Sequence, residues 1–325
     1  MKIPGRRLVK EAEQKGDEAE VPLARGLGLV SFLKLTFKEV GEDHLASFAG
    51  NLTYKALFAL FPFFTLLLSL LGLFNATNLV QTFLDSLSGL LPASAIEFVS
   101  GQLLAIAGQE SEGAFTVGVV VSILLALWGV SGAFRSVMEA LNAVYEVEED
   151  RPLLKRYWLS IFISMAVIAL LLGALLLLVS GLAVGEGVAG TFGLGSVFGI
   201  VWGIVQWPIL ALMVLLAFAL IYYYAPAAEQ RWRWISVGSV VALVFWVLFS
   251  LAFSLYVGTF GSYNETYGSL AGVMVLMLYV YYSAFIVLIG AEMNQVIEWH
   301  IPGGKNEGDK TPATDQDGST EASAP

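Results

Sequence analysis

The chain has no cysteine and only two histidines in 325 residues. The first absence excludes a disulfide framework, a thiolate nucleophile and a thiolate metal site, and leaves the redox compartment unread. The second leaves little for metal chemistry: His44 and His300 lie near opposite ends of the sequence, with no acidic residues at ligand spacing around either. A phosphate-cradling glycine loop, a G-x-S-x-G elbow and an H-E-x-x-H helix are missing too. The sequence therefore predicts no catalytic residue, no metal, no cofactor and no enzyme. Charge is also scarce, at 14% of residues against about 25% in soluble domains.

What is abundant is apolar. Hydrophobic residues make up 57% of the chain, and the mean hydropathy is +0.74. A bilayer core needs roughly 20 mostly apolar residues per helix. Six runs meet that, at about 48–73, 115–134, 159–184, 200–224, 234–258 and 269–291. Backbone groups in lipid must bond within the segment, and strand-like alternation is absent, so the fold class is all-α: a polytopic bundle of six transmembrane helices.

The basic residues sort by segment. Eight of the 17 Lys and Arg precede the first run; Arg135, Arg151, Lys155 and Arg156 fall between the second and third, Arg231 and Arg233 between the fourth and fifth, and Lys305 and Lys310 in the tail. The loops after runs one, three and five carry none. The positive-inside rule then places both termini in the cytoplasm. A net charge of −10 would argue against nucleic acid or an anionic surface as a partner if it were spread evenly, and it is not; no nucleic acid is expected, membrane lipids are the expected partner, and a protein partner or homo-oligomer stays open.

Three domain segments follow: a mobile cytoplasmic N-terminus (1–25) without the apolar core of a signal peptide, a membrane domain (26–300) and a polar, disordered tail (301–325). Within the membrane domain, "LGLVSFLKLTFKEV" reads as an amphipathic helix on the inner surface. In the first outward loop, Leu79, Val80, Phe83, Leu84 and Leu87 share a helical face, and Pro92 and Ser94 can start a second helix, giving two extra amphipathic helices there.

Polar residues inside or beside the spans are the candidate site. Lys55 sits near the start of span one with Asn51 one turn earlier; it either snorkels to the headgroups or faces the interior and pairs with an acid. Ser131, Arg135, Glu139 and Asn142 recur at helical spacing at the end of span two. Glu292 and Asn294 end span six at the same depth. The expectation is an inner polar cluster, with Lys55, Arg135, Glu139, Asn142 and Glu292 as a buried network. Gly132, Gly268 and Gly290 permit close helix approach, and Pro62 and Pro208 mark kinks within spans one and four.

The stretches "LTYKALFALFPFFTLL", "WGVSGAFRSVMEALNAVYEVEEDRPLLKRYW" and "YGSLAGVMVLMLYVYYSAFIVLIGAEMNQVIE", in that order, resemble the YihY/virulence factor BrkB family of bacterial inner-membrane proteins over roughly residues 30–300. The resemblance implies six spans with cytoplasmic termini in the inner membrane, and no settled activity. Members are linked to serum resistance and envelope lipid export, and many carry a ribonuclease BN label for which this chain offers no active-site constellation. By family pattern the residues carried over are Tyr54, Pro62, Ser131, Gly132, Leu141, Asn142, Arg151, Pro152, Gly268, Gly290 and Glu292. Where the family tends to read two aromatics, this chain has Tyr54-Lys55. The functional expectation is movement of a lipid or other amphiphile across the membrane; the alternative is a non-transporting scaffold or envelope-integrity factor.

Overall fold

The computed structural model describes residues 28–73, 112–192, 195–228, 235–259 and 269–300. All described elements are helices: α1 (Leu29–Glu42), α2 (Leu45–Leu73), α3 (Glu112–Val144), α4 (Leu153–Phe192), α5 (Gly195–Tyr224), α6 (Val237–Thr259) and α7 (Ser269–His300). Among the described residues, five stretches are long and apolar enough to cross a membrane: Ile123–Val144, Leu153–Ala174, Val201–Tyr224, Val237–Val257 and Gly272–His300. The remaining expected span lies in α2, whose side chains from residue 60 onward fall outside the described residues. Also outside are Gly268, the outward-loop helices expected within 75–111, and both terminal segments.

Large apolar side chains stand exposed along these helices, including Phe162 and Leu255 at 73% and Trp128 at 71%. Water would penalise such a surface heavily; lipid does not.

The chain divides into two compact units. The first comprises residues 1–49, 135–246 and 284–325. Within it α4 and α5 pack along each other, as their two-residue separation in sequence requires. A side chain at Gly173 of α4 would collide with Met213 Cε of α5 at 2.8 Å. α1 packs against the end of α7 through Phe32, Leu35, Met293, Val296 and Ile297, with Val237 and Val241 of α6 alongside. The opposite side of α1 exposes Leu29, Val30, Leu33 and Phe37, at the spacing of one apolar helical stripe.

The start of α6 is held by reciprocal caps. Ser236 N–H donates to Ser239 Oγ at 3.0 Å, and Ser239 N–H to Ser236 Oγ at 3.1 Å. Here α6 and α7 nearly touch. A side chain on Gly238 would run into the Gly290 carbonyl oxygen, and one on Gly290 would meet Gly238 O at 2.7 Å and Ala242 Cβ at 2.8 Å. Gly290 is thus a packing glycine, as its small size suggests. Asn294 reinforces the crossing: its Oδ1 accepts from Gly238 N–H at 2.9 Å, and its Nδ2 donates to Ser236 Oγ at 3.0 Å.

The second unit comprises residues 50–134 and 247–283. In it α6 and α7 meet through aromatic rings. Phe249 lies 5.8 Å from Tyr279 and 5.4 Å from Tyr282, and Phe253 lies 5.5 Å from Tyr279. Ser250 Oγ and Tyr279 OH share a 3.1 Å hydrogen bond, which satisfies both hydroxyls away from water.

Pro208 lies inside α5 with its ring exposed, and residue 62 lies inside α2. Each removes one backbone donor, yet the helix continues through both positions.

Candidate functional site

Polar side chains gather in the first unit, in two places. The first is the turn between α3 and α4. α3 ends after Val144, and Glu146 adopts a left-handed φ of 51°. That conformation stops the helix and sends the chain back on itself: Val147 N–H donates to Asn142 O at 2.9 Å. Glu149 is thereby brought beside the helix it follows, where Asn142 Nδ2 donates to its Oε2 at 3.1 Å.

Arg151 completes the turn. Its Nε donates to Glu149 Oε1 and its Nη2 to Glu149 Oε2, each at 2.7 Å, a bidentate ion pair. The remaining guanidinium donors reach the carbonyls that close α5: Ala225 O at 2.9 Å, Tyr224 O at 3.2 Å and Pro226 O at 3.5 Å. Asn142 Oδ1 accepts from Ala227 N–H at 2.7 Å. The end of α5 would otherwise leave these backbone groups without partners. Burial alone would push the Glu149 carboxyl up, but the Arg151 guanidinium, by hydrogen bond and charge, and Asn142 reverse that and hold it down at about 2.

Arg156 extends the set. Its Nη2 donates to Glu139 Oε1 at 2.8 Å, and its Nε lies 3.7 Å from Glu149 Oε2. Arg135 stacks over the Tyr157 ring at 3.9 Å from the centroid, a cation–π contact. Pro152 directly precedes α4, where its missing N–H costs nothing, and its carbonyl accepts from Arg156 N–H. Leu141 is fully buried.

The second place is the junction of α1, the α1–α2 turn and α7. Glu292 projects from α7 with 0% of its surface exposed, and neither carboxylate oxygen has a hydrogen-bond donor. It faces Asp43, the residue that caps α1. Glu39, one turn earlier on α1, is also buried. Gln295, one turn beyond Glu292, is 1% exposed, and its Oε1 accepts nothing. Burial pushes the Asp43 carboxyl up to about 7, with Glu39 and Glu42 adding like-charge repulsion.

Several residues of the expected polar cluster take part in described contacts. Glu139, Asn142 and Arg151 share one linked set through Glu149 and Arg156, Asn294 fastens α6 to α7, and Glu292 sits with Asp43. Asn51, Lys55 and Ser131 belong to the second unit, as do Tyr54 and Gly132; Asn51 and Tyr54 are exposed there, Lys55 is half-buried and Ser131 buried. Sequence reasoning missed Glu149 and Asp43. For Glu149 a signal existed, since it lies two residues before Arg151; for Asp43 the signal was an acid ending an amphipathic helix.

Among the described residues no group of three or more His, Asp or Glu is arranged to hold a metal ion. Residues 36–315 match the family profile described as virulence factor BrkB. The chain belongs to that family. It is 31% identical over 272 residues to the ribonuclease-like protein YfkH of Bacillus subtilis (strain 168), covering 82% of this chain and 95% of the relative. It is 28% identical over 293 residues to a UPF0761 membrane protein of Cronobacter sakazakii, covering 88% and 93%. With the UPF0761 membrane protein RSc1559 of Ralstonia nicotianae it shares 29% identity over 268 residues, 79% of this chain but 56% of that relative. No solved structure matches. This BrkB-family chain is therefore a membrane protein with several membrane-length helices.

Proposed function

We propose that this BrkB-family protein moves a phospholipid or another amphiphile across a bacterial inner membrane, through a bundle of six spans with both termini in the cytoplasm. The observation that carries this reading is Glu292: an ionisable side chain with no exposure and no hydrogen-bond donor inside a membrane-length helix. Such groups are expensive in apolar surroundings, and where they occur they mark ion or substrate pathways by default. The apolar exterior suits a substrate whose chains remain in lipid while its headgroup crosses. Arg135, in the same unit as Glu292, carries positive charge of the kind that attracts a phosphate.

A scaffold role is favoured by a different observation. Asn142 and Arg151 bond to the backbone that ends α5, and Glu149 accepts from both side chains, which is structural work. The two readings separate in one experiment: translocation of headgroup-labelled phospholipid in vesicles containing the purified protein. Transport predicts label reaching the opposite leaflet faster than in empty vesicles; a scaffold predicts equal rates and a stably co-purifying partner.

A further inference from the structure

Glu292 and Asp43 present an unusual contact. Their carboxyl groups face each other, yet neither Glu292 oxygen has a hydrogen-bond partner. Two carboxylates contain four acceptor oxygens and no donor, so as anions they cannot bond. One added proton changes that, turning the contact into an O–H···O hydrogen bond of the short, charge-assisted kind. We infer that Asp43 and Glu292 form a proton-binding site, in which a single proton is held between two carboxyl groups where the α1–α2 turn meets α7.

The surroundings favour uptake of positive charge. Glu39 and Glu42 act on Asp43 from α1, and Glu39 and Glu146 act on Glu292; all are acids. Lys38 is engaged by Glu42 at 2.7 Å and Glu39 at 3.2 Å. α7 also places the buried Gln295 one turn from Glu292, and the apolar contact of α1 with α7 and α6 runs through Met293, Val296, Val237 and Val241. Glu292 is wholly enclosed while Asp43 is half-exposed, so Asp43 is the member through which a proton enters. A metal ion would need more ligands than the described residues assemble. The raised Asp43 carboxyl, near 7, places the exchange in the physiological range. This site stands whether or not the protein moves lipid.

The test uses the full chain purified in detergent, comparing wild type with Glu292→Gln and Asp43→Asn. Because Asp43 binds its proton more tightly in the folded state, stability is greatest below the ordinary carboxylate range and falls as pH rises towards about 7. Glu292→Gln removes the second acid and offers an amide donor, so its apparent Tm at alkaline pH should exceed that of wild type by about 3 °C or more, with no gain in acid. Infrared difference spectra of wild type should show a protonated carboxyl band that disappears on raising the pH through neutrality and is missing in both variants. An equal loss of Tm at every pH would overturn the site, as would a wild-type spectrum without that titrating band. A stabilisation by sodium over choline at alkaline pH, abolished in Glu292→Gln, would overturn it in favour of a metal ion. If a variant fails to fold, the wild-type spectrum alone decides.

Discussion

At the scale of single residues, Asn142 and Arg151 do the most visible work, since each joins the α3–α4 turn to the end of α5. Asn142→Ala leaves the Ala227 N–H without its partner and removes one of the two donors to Glu149 Oε2, and should lower stability by about 1–3 kcal/mol, read as the apparent Tm in detergent. Arg151→Gln removes the charge opposite Glu149. That carboxyl is held at about 2 in the folded protein, so its contribution is present above the ordinary carboxylate range and lost as pH falls. The penalty of Arg151→Gln should therefore be largest near neutrality and shrink between about pH 5 and about pH 2; a penalty independent of pH would contradict the ion pair. The sequence exposed Asn142 and Arg151 through their motif but not their purpose. Their partners Ala225 and Ala227 lie 74 and 85 residues away, and helical periodicity carries no information at that range.

At the scale of elements, two kinds of helical glycine differ in what they tolerate. α6 and α7 meet glycine to glycine, with backbone oxygen on each side of the contact. Gly290→Ala and Gly238→Ala should each force these helices apart and reduce the yield of folded protein, because backbone cannot rotate out of the way as a side chain can. By contrast, a side chain at Gly203 of α5 meets nothing within 4 Å. Gly203→Ala should be neutral or stabilising, by up to about 1 kcal/mol. The five membrane-length helices were legible because runs of apolar residues leave few other folds open. The lengths of α3 and α4 were less so: α3 continues to Val144, ten residues past its apolar run, on a stretch where Ser136 and Asn142 are buried by neighbouring protein. Composition marks where lipid begins and ends; it does not mark where protein replaces lipid as the covering.

At the scale of the whole molecule, apolar, membrane-length helices occur together with an enclosed acid, Glu292. Glu292 could be picked from the sequence because an acid at the end of an apolar run is conspicuous. That Asp43 is its neighbour could not be read there, since only the packing of α1 against α7 brings them together. The proposed transport depends on that enclosed acid, and the most direct measurement is the rate of phospholipid translocation in vesicles by wild type and by Glu292→Gln, at equal protein content and near-neutral pH. Wild type should exceed empty vesicles, and Glu292→Gln, while still folded, should lose about tenfold or more of that rate, the equivalent of about 1.4 kcal/mol in the barrier. Equal rates in the two proteins, or a wild-type rate no faster than empty vesicles, would contradict the proposal.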